Sequence, residues 1–167
     1  SDWKFEDNGW DYKYSSNSKG GLNLYFNGYN LDNIKNKEDV WFDFWYDTNI
    51  NTNEDKYVII NYEIIKNTNQ LGFYFNPKRG ENEVVENIFL PSSLGNHEFI
   101  INLKNLKGDK QISKIEFFID NGYGTGRVGE FDIKINSIED YNCELPYVLE
   151  ATGNIEIGNF VHKNGDK

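Results

Sequence analysis

The fold that this sequence predicts is all-β, two antiparallel sheets packed face to face, and three observations predict it. Runs rich in Ile, Val, Phe and Tyr recur along the chain, separated by clusters of Asn, Gly, Asp and Lys. Within the runs, apolar and polar residues alternate one for one, the period of a strand with one buried face. Helix signals are nearly absent, because apolar residues seldom recur at three-to-four spacing and Ala occurs once.

Strands are expected at residues 3–6, 21–26, 38–47, 56–66, 70–76, 83–90, 97–103, 112–119, 127–138 and 154–162. The breaks carry turn chemistry: Asn76-Pro77-Lys78-Arg79-Gly80, Leu94-Gly95-Asn96 and Asn121-Gly122 are expected to be loops. Residues 121–126 are too glycine-rich for a strand and no helix follows to supply a phosphate site, so a loop at the rim of the sandwich is expected. The 167 residues suit a single β-sandwich domain over residues 1–163, with a polar, frayed tail at 164–167.

Hydrophobic residues are only 38% of the chain, yet aromatic residues alone supply 16%, as 4 Trp, 11 Tyr and 12 Phe. A disordered chain would be poor in rings, so a folded protein with a wet, loop-rich surface is implied. A net charge of -10 argues against nucleic acid and against anionic membrane, since both are bound through clustered Lys and Arg. A neutral ligand fits better. No apolar run is long enough to span a bilayer, and no basic stretch leads an apolar one near Ser1. With no Met in the chain, Ser1 is expected to begin a mature or excised form. Cys143 is the only cysteine, so neither an internal disulfide nor a zinc-type pattern is available.

Splitting each strand into two faces locates the candidate site. In residues 40–47, Val40, Phe42, Phe44 and Tyr46 form a core row, while Trp41, Asp43, Trp45 and Asp47 share the other face. Unpaired carboxylates are expensive in a core, so the second row is expected to meet solvent with its two indoles. At strand rise, Trp41 and Trp45 lie about 13 to 14 Å apart, a spacing of a few sugar rings. An indole packs on the C–H face of a pyranose while carboxylates and amides meet its hydroxyls, so this row offers both kinds of contact.

In residues 56–66, Val58, Ile60, Tyr62 and Ile64 point inward, leaving Tyr57, Ile59, Asn61 and Glu63 on a face expected to be solvated. In 70–76 the core row is Leu71, Phe73 and Phe75, and Tyr74 and Asn76 could extend the platform. In 127–138, Phe131, Ile133 and Ile135 point in, opposite Glu130, Asp132, Lys134 and Asn136. Trp10, Tyr12 and Tyr14 form a second aromatic row, read equally as a clamp flanking a groove or as an edge strand folded on the core. Tyr123 and Arg127 border the glycine-rich loop, from which a ring and a guanidinium could meet a ligand. His97 and His162 sit in no nucleophile, zinc or general-base motif, so catalysis finds little support.

The opening Trp3-Lys4-Phe5-Glu6-Asp7-Asn8-Gly9-Trp10 resembles the Phe-Glu-Asp-Gly…Gly-Trp start of carbohydrate-binding modules of the jelly-roll, galactose-binding-like type. Residues 153–161 resemble their last strand, and residues 112–119 their penultimate core strand. The resemblance implies a jelly roll with a glycan on a sheet face or at the loop rim, and the row of Trp41 and Trp45 favours the face. It also implies a structural calcium, with Glu6 as one ligand. Gly158 stands where those modules carry an Asp, which leaves a carboxylate-poor site of weak affinity.

The expected function is therefore non-catalytic binding of a polysaccharide or oligosaccharide, a β-glucan or related cell-wall glycan, by an extracellular module attached to a larger secreted enzyme or scaffold. The expected contacts are Trp41, Trp45, Asp43, Asp47, Tyr74 and Asn76, with Trp10, Tyr12, Tyr123 and Arg127 around them. Two rivals are a protein-interaction or adhesin module using the same patch, and a small glycan-cleaving enzyme on a jelly roll.

Overall fold

A computed structural model describes residues 3–7, 11–17, 20–27, 41–52, 54–79, 83–84, 87–105, 111–120, 129–142 and 154–156. Its strands are β1 (Lys4–Asp7), β2 (Asp11–Ser16), β3 (Leu22–Asn27), β4 (Trp41–Ile50), β5 (Tyr57–Asn67), β6 (Gly72–Phe75), β7 (Lys78–Arg79), β8 (Glu83–Val84), β9 (Ile88–Leu90), β10 (Gly95–Asn102), β11 (Ile112–Asp120), β12 (Glu130–Tyr141) and β13 (Asn154–Glu156). A single turn of 3-10 helix, Leu103–Asn105, follows β10.

The strands form two antiparallel sheets packed against each other, an all-β jelly-roll sandwich. One is seven-stranded, in the order β1-β4-β11-β6-β9, with β7 paired to β11 and β8 to β7. The other is six-stranded, in the order β13-β10-β5-β12-β3-β2. The chain passes between the sheets at β4 to β5 to β6 and again at β10 to β11 to β12, so the neighbours within a sheet are mostly distant in sequence.

The one-for-one alternation explains the core. Phe42 and Phe44 of β4, Phe73 and Phe75 of β6 and Phe117 of β11 point in from one sheet and are fully covered. Leu24 and Phe26 of β3, Val58, Ile60, Tyr62 and Ile64 of β5, and Phe131, Ile133 and Ile135 of β12 meet them from the other. Rings dominate the contact between layers: Phe26 stacks on Phe42 at 4.8 Å, and Phe73 meets Tyr62 edge-on at 5.4 Å and Phe131 at 5.9 Å. Trp3 closes one edge against Phe44, Tyr46 and Phe117.

Local chemistry fixes the turn from β5 to β6. The Asn67 side chain accepts from the Leu71 amide at 2.9 Å and donates to the Leu71 carbonyl at 3.0 Å, bracketing Gln70 in a left-handed conformation, φ 53°. His97 stacks on Tyr62 at 5.0 Å and holds the Ser93 carbonyl at 2.7 Å through Nε2, a packing role.

Four expectations need correction. Lys78 and Arg79 are not loop but the short strand β7, which Lys78 anchors opposite Lys114. Gly95 and Asn96 are not loop either: they start β10, pairing with Ile64 and Glu63, and Gly95 takes φ 118°. Residues 83–90 hold two strands, β8 and β9, where one was expected. On β5, Tyr57 and Ile59 point away from the core yet are only 1% exposed, so that face is not solvated there. Alternation encodes neither pairing nor covering: β7 and β10 are set by partners distant in the chain, and β8 by its pairing with β7. The expected loop at 121–126, Val40, Trp10, Tyr123, Arg127, Cys143, Gly158, His162 and the tail at 164–167 lie outside the described residues.

Candidate functional site

The outer face of the seven-stranded sheet gathers several aromatic residues that the core does not use. On β4 its residues are Trp41, Asp43, Trp45 and Asp47, alternating with buried Phe42 and Phe44. Both indoles are partly exposed. Register then decides what stands beside them. Across the sheet, Glu6 of β1, Asp43 of β4, Phe118 of β11, Tyr74 of β6 and Phe89 of β9 fall in one row. The next row holds Lys4, Trp45 and Glu116, and the row on the other side pairs Trp41 with Asp120 and Gly72. Adjacent strands lie about 4.8 Å apart, so the row from Glu6 to Phe89 spans about 19 Å.

Ring contacts join the row. Tyr74 meets Phe89 edge-on at 5.5 Å and Phe118 at 6.1 Å, and Phe89 is 60% exposed. Gly72 supports this arrangement by its lack of a side chain: a Cβ there would sit 2.9 Å from Tyr74 Cε2, so the tyrosine ring leans along its own strand into the space. Burial, and then the charge of Asp120, push the Tyr74 phenol up from its ordinary value.

Polar groups are interleaved with the rings. Glu116 is buried and paired with Lys78 Nζ at 2.7 Å, while Asp47 is exposed and paired with Lys4 Nζ at 2.9 Å. Lys4 holds the Asp47 carboxyl below its usual range by hydrogen bond and charge. Asp43 is different. Its Oδ1 is buried and has no hydrogen-bond partner among the described residues, and the same holds for Asn76 Oδ1. Burial first, then Glu116, with Glu6 adding and Lys78 opposing, raises the Asp43 carboxyl to about 7.

The expected contacts Trp41, Asp43, Trp45, Asp47 and Tyr74 thus stand on one face of one sheet, and Asn76 follows the end of β6, its amide donating to the Glu116 carbonyl at 2.7 Å. Tyr12 does not join them. It lies on β2, the edge strand of the other sheet, where its ring packs on Phe5 at 5.2 Å and Phe42 at 5.0 Å. That position is the edge strand folded on the core. Sequence reasoning puts Gly72 on this face with Tyr74 and misses Phe118 and Phe89. Their signals were present: in Phe117-Phe118 only one ring can point inward, and Phe89 lies between two buried residues, Ile88 and Leu90.

Glu6 faces Asp43 across the β1–β4 ladder. Phe5 of the same strand packs on Tyr14 of β2 at 4.3 Å, whereas β13 lies at the opposite edge of the six-stranded sheet. The described part of the final strand is therefore remote from Glu6, and no cluster of metal-ligating side chains occurs among the described residues.

A groove of about 380 Å³ lies on the six-stranded sheet, lined by Lys13, Ser15, Asn23, Tyr25 and Asp132 among others. Its two rings are already engaged, because Lys13 Nζ sits 5.3 Å from the Tyr25 centroid and Tyr14 packs on Phe5 at 4.3 Å. The aromatic face of the seven-stranded sheet is the stronger candidate. Among the described residues no helix is long and apolar enough to cross a membrane. No protein-family model matches the chain, and no curated protein matches it either.

Proposed function

We propose that the outer face of the seven-stranded sheet binds a polysaccharide, a β-glucan or related cell-wall glycan, without cleaving it. On this reading the protein is an extracellular module that brings an attached enzyme or scaffold to its substrate. One observation carries the reading: partly exposed rings on four neighbouring strands, Trp41, Trp45, Phe118, Tyr74 and Phe89, are interleaved with carboxylate and amide oxygens. A patch meant for an apolar protein surface is depleted of charge at its centre. This one carries Asp43 and Glu116 there, which suits a ligand with apolar C–H faces and a rim of hydroxyls.

The test is native electrophoresis in gels containing a panel of soluble glycans, with Trp41→Ala and Trp45→Ala beside the unaltered protein. Retarded migration that either substitution abolishes, with the unfolding midpoint kept, supports the reading. Migration unaffected by every glycan overturns it.

Glycan cleavage is a second reading, favoured by one observation: Asp43 and Glu116 lie diagonally across the β4–β11 pair on the same face. The ion pair of Glu116 with Lys78 weighs against it, because it occupies the carboxylate that would have to act. Release of reducing ends from the same panel decides between them.

A further inference from the structure

The carboxylates on the outer face of the seven-stranded sheet are unequally paired. Two of its carboxylates are already compensated, Asp47 by Lys4 and Glu116 by Lys78, and Lys114 stands opposite Asp47. Asp43 is set otherwise. Its cross-strand neighbours are Glu6 of β1 and Phe118 of β11, Glu116 lies on the diagonal, and along its own strand come Trp41 and Trp45. The cation that acts on it, Lys78 of β7, is bonded to Glu116. Oδ1 of Asp43 is an acceptor removed from water with no donor among the described residues. Asp43 as a whole is only partly buried, and a carboxylate short of donors gains when a ligand brings an O–H to it. A ligand carboxylate or sulfate at the same spot brings no proton and adds a like charge to Glu6, Asp43 and Glu116.

We infer that Asp43 is the specificity-determining group of this face, admitting uncharged, hydroxyl-rich glycans and turning away uronic-acid and sulfated ones. The inference rests on the glycan reading above and names the class of glycan that the face takes. Because burial, Glu116 and Glu6, against the opposing charge of Lys78, raise the Asp43 carboxyl to about 7, its repulsion of an anionic glycan fades as pH falls below neutral.

Hydroxyethyl cellulose and carboxymethyl cellulose share one backbone and differ in charge, so they serve as probes in affinity gels at about pH 8 and about pH 6. The unaltered protein is expected to bind the neutral polymer at least about tenfold more tightly at the higher pH. Asp43→Asn is expected to narrow that gap by roughly threefold or more, an effect of a nearby charge rather than of net charge. Glu139→Gln removes the same charge from an exposed position on β12 of the other sheet and is expected to leave the gap in place. Lowering the pH narrows the gap for the unaltered protein and not for Asp43→Asn. Equal retention by both polymers, or equal effects of the two substitutions, overturns the inference while leaving the glycan platform standing. Retention by neither polymer overturns both.

Discussion

The two outer faces of the sandwich obey the same alternation and end in opposite states. On the seven-stranded sheet the outward residues of β4, β6, β9 and β11 include rings that stay partly exposed. On the six-stranded sheet the outward residues where β5 meets β10, Tyr57, Ile59 and Ile100, are covered as fully as the core, and Glu98 and Asn102 are buried beside them. Toward β3 and β2 the same sheet turns polar, with Lys13, Asn23 and Asp132 outward. Strand period therefore reports which side a residue takes, and not whether that side is wet. An outward ring is informative only when the rest of the fold leaves it uncovered.

The largest effect expected from this contrast is on stability. Ile59→Ala should cost about 2 to 4 kcal/mol although the side chain points away from the core, because it empties a closed space. Phe89→Ala, a larger truncation on the other outer face, should stay within about 0.5 kcal/mol. Urea unfolding of the two variants measures both, and similar costs would erase the distinction between the faces.

Next comes the pH response of Asp43. Its carboxyl is raised in the folded protein to about 7, so the folded state binds an extra proton between the unfolded value and that one. Stability should therefore fall as pH rises through that window and level off above it. Asp43→Asn should lack this decline and be the more stable protein at about pH 8. Unfolding midpoints between about pH 5 and pH 8 test this; a parallel decline in both proteins would assign it to other groups.

Gly72→Ala should come third. The added methyl must push the Tyr74 ring aside, which the ring can do at the surface for about 1 kcal/mol or less. The expected signature is a change in the ring resonances of Phe89 and Phe118, the two rings that Tyr74 touches, together with weaker glycan retention. The smallest effect belongs to Asp47→Asn, since the Lys4 pair has both side chains more than half exposed and should change stability by no more than about 0.5 kcal/mol.

Much of the candidate face was legible before any coordinates. The run from 40 to 47 sorts its own residues, because a strand turns successive side chains to opposite faces, and Phe42 and Phe44 are buried while Trp41 and Trp45 stand outward. Leu71, Phe73 and Phe75 sort in the same way from Gly72 and Tyr74. Neighbours across strands were not legible. That Phe118 stands between Asp43 and Tyr74, or that Phe89 follows Tyr74, depends on registers between segments far apart in the chain. Gly95 and Asn96 show the same limit, for their turn chemistry is sound locally and is overridden by pairing with Ile64 and Glu63.

The chain's own period of two, its supply of aromatic residues and its scarcity of helix formers were enough to determine an all-β protein with a ring-built core, because these are properties of a strand and of its immediate neighbours. Which rings lie side by side, which outward residues are sealed, and why Asp43 Oδ1 has no donor among the described residues were decided only when distant strands met. Pairing and covering are long-range choices, and the local sequence holds no record of them.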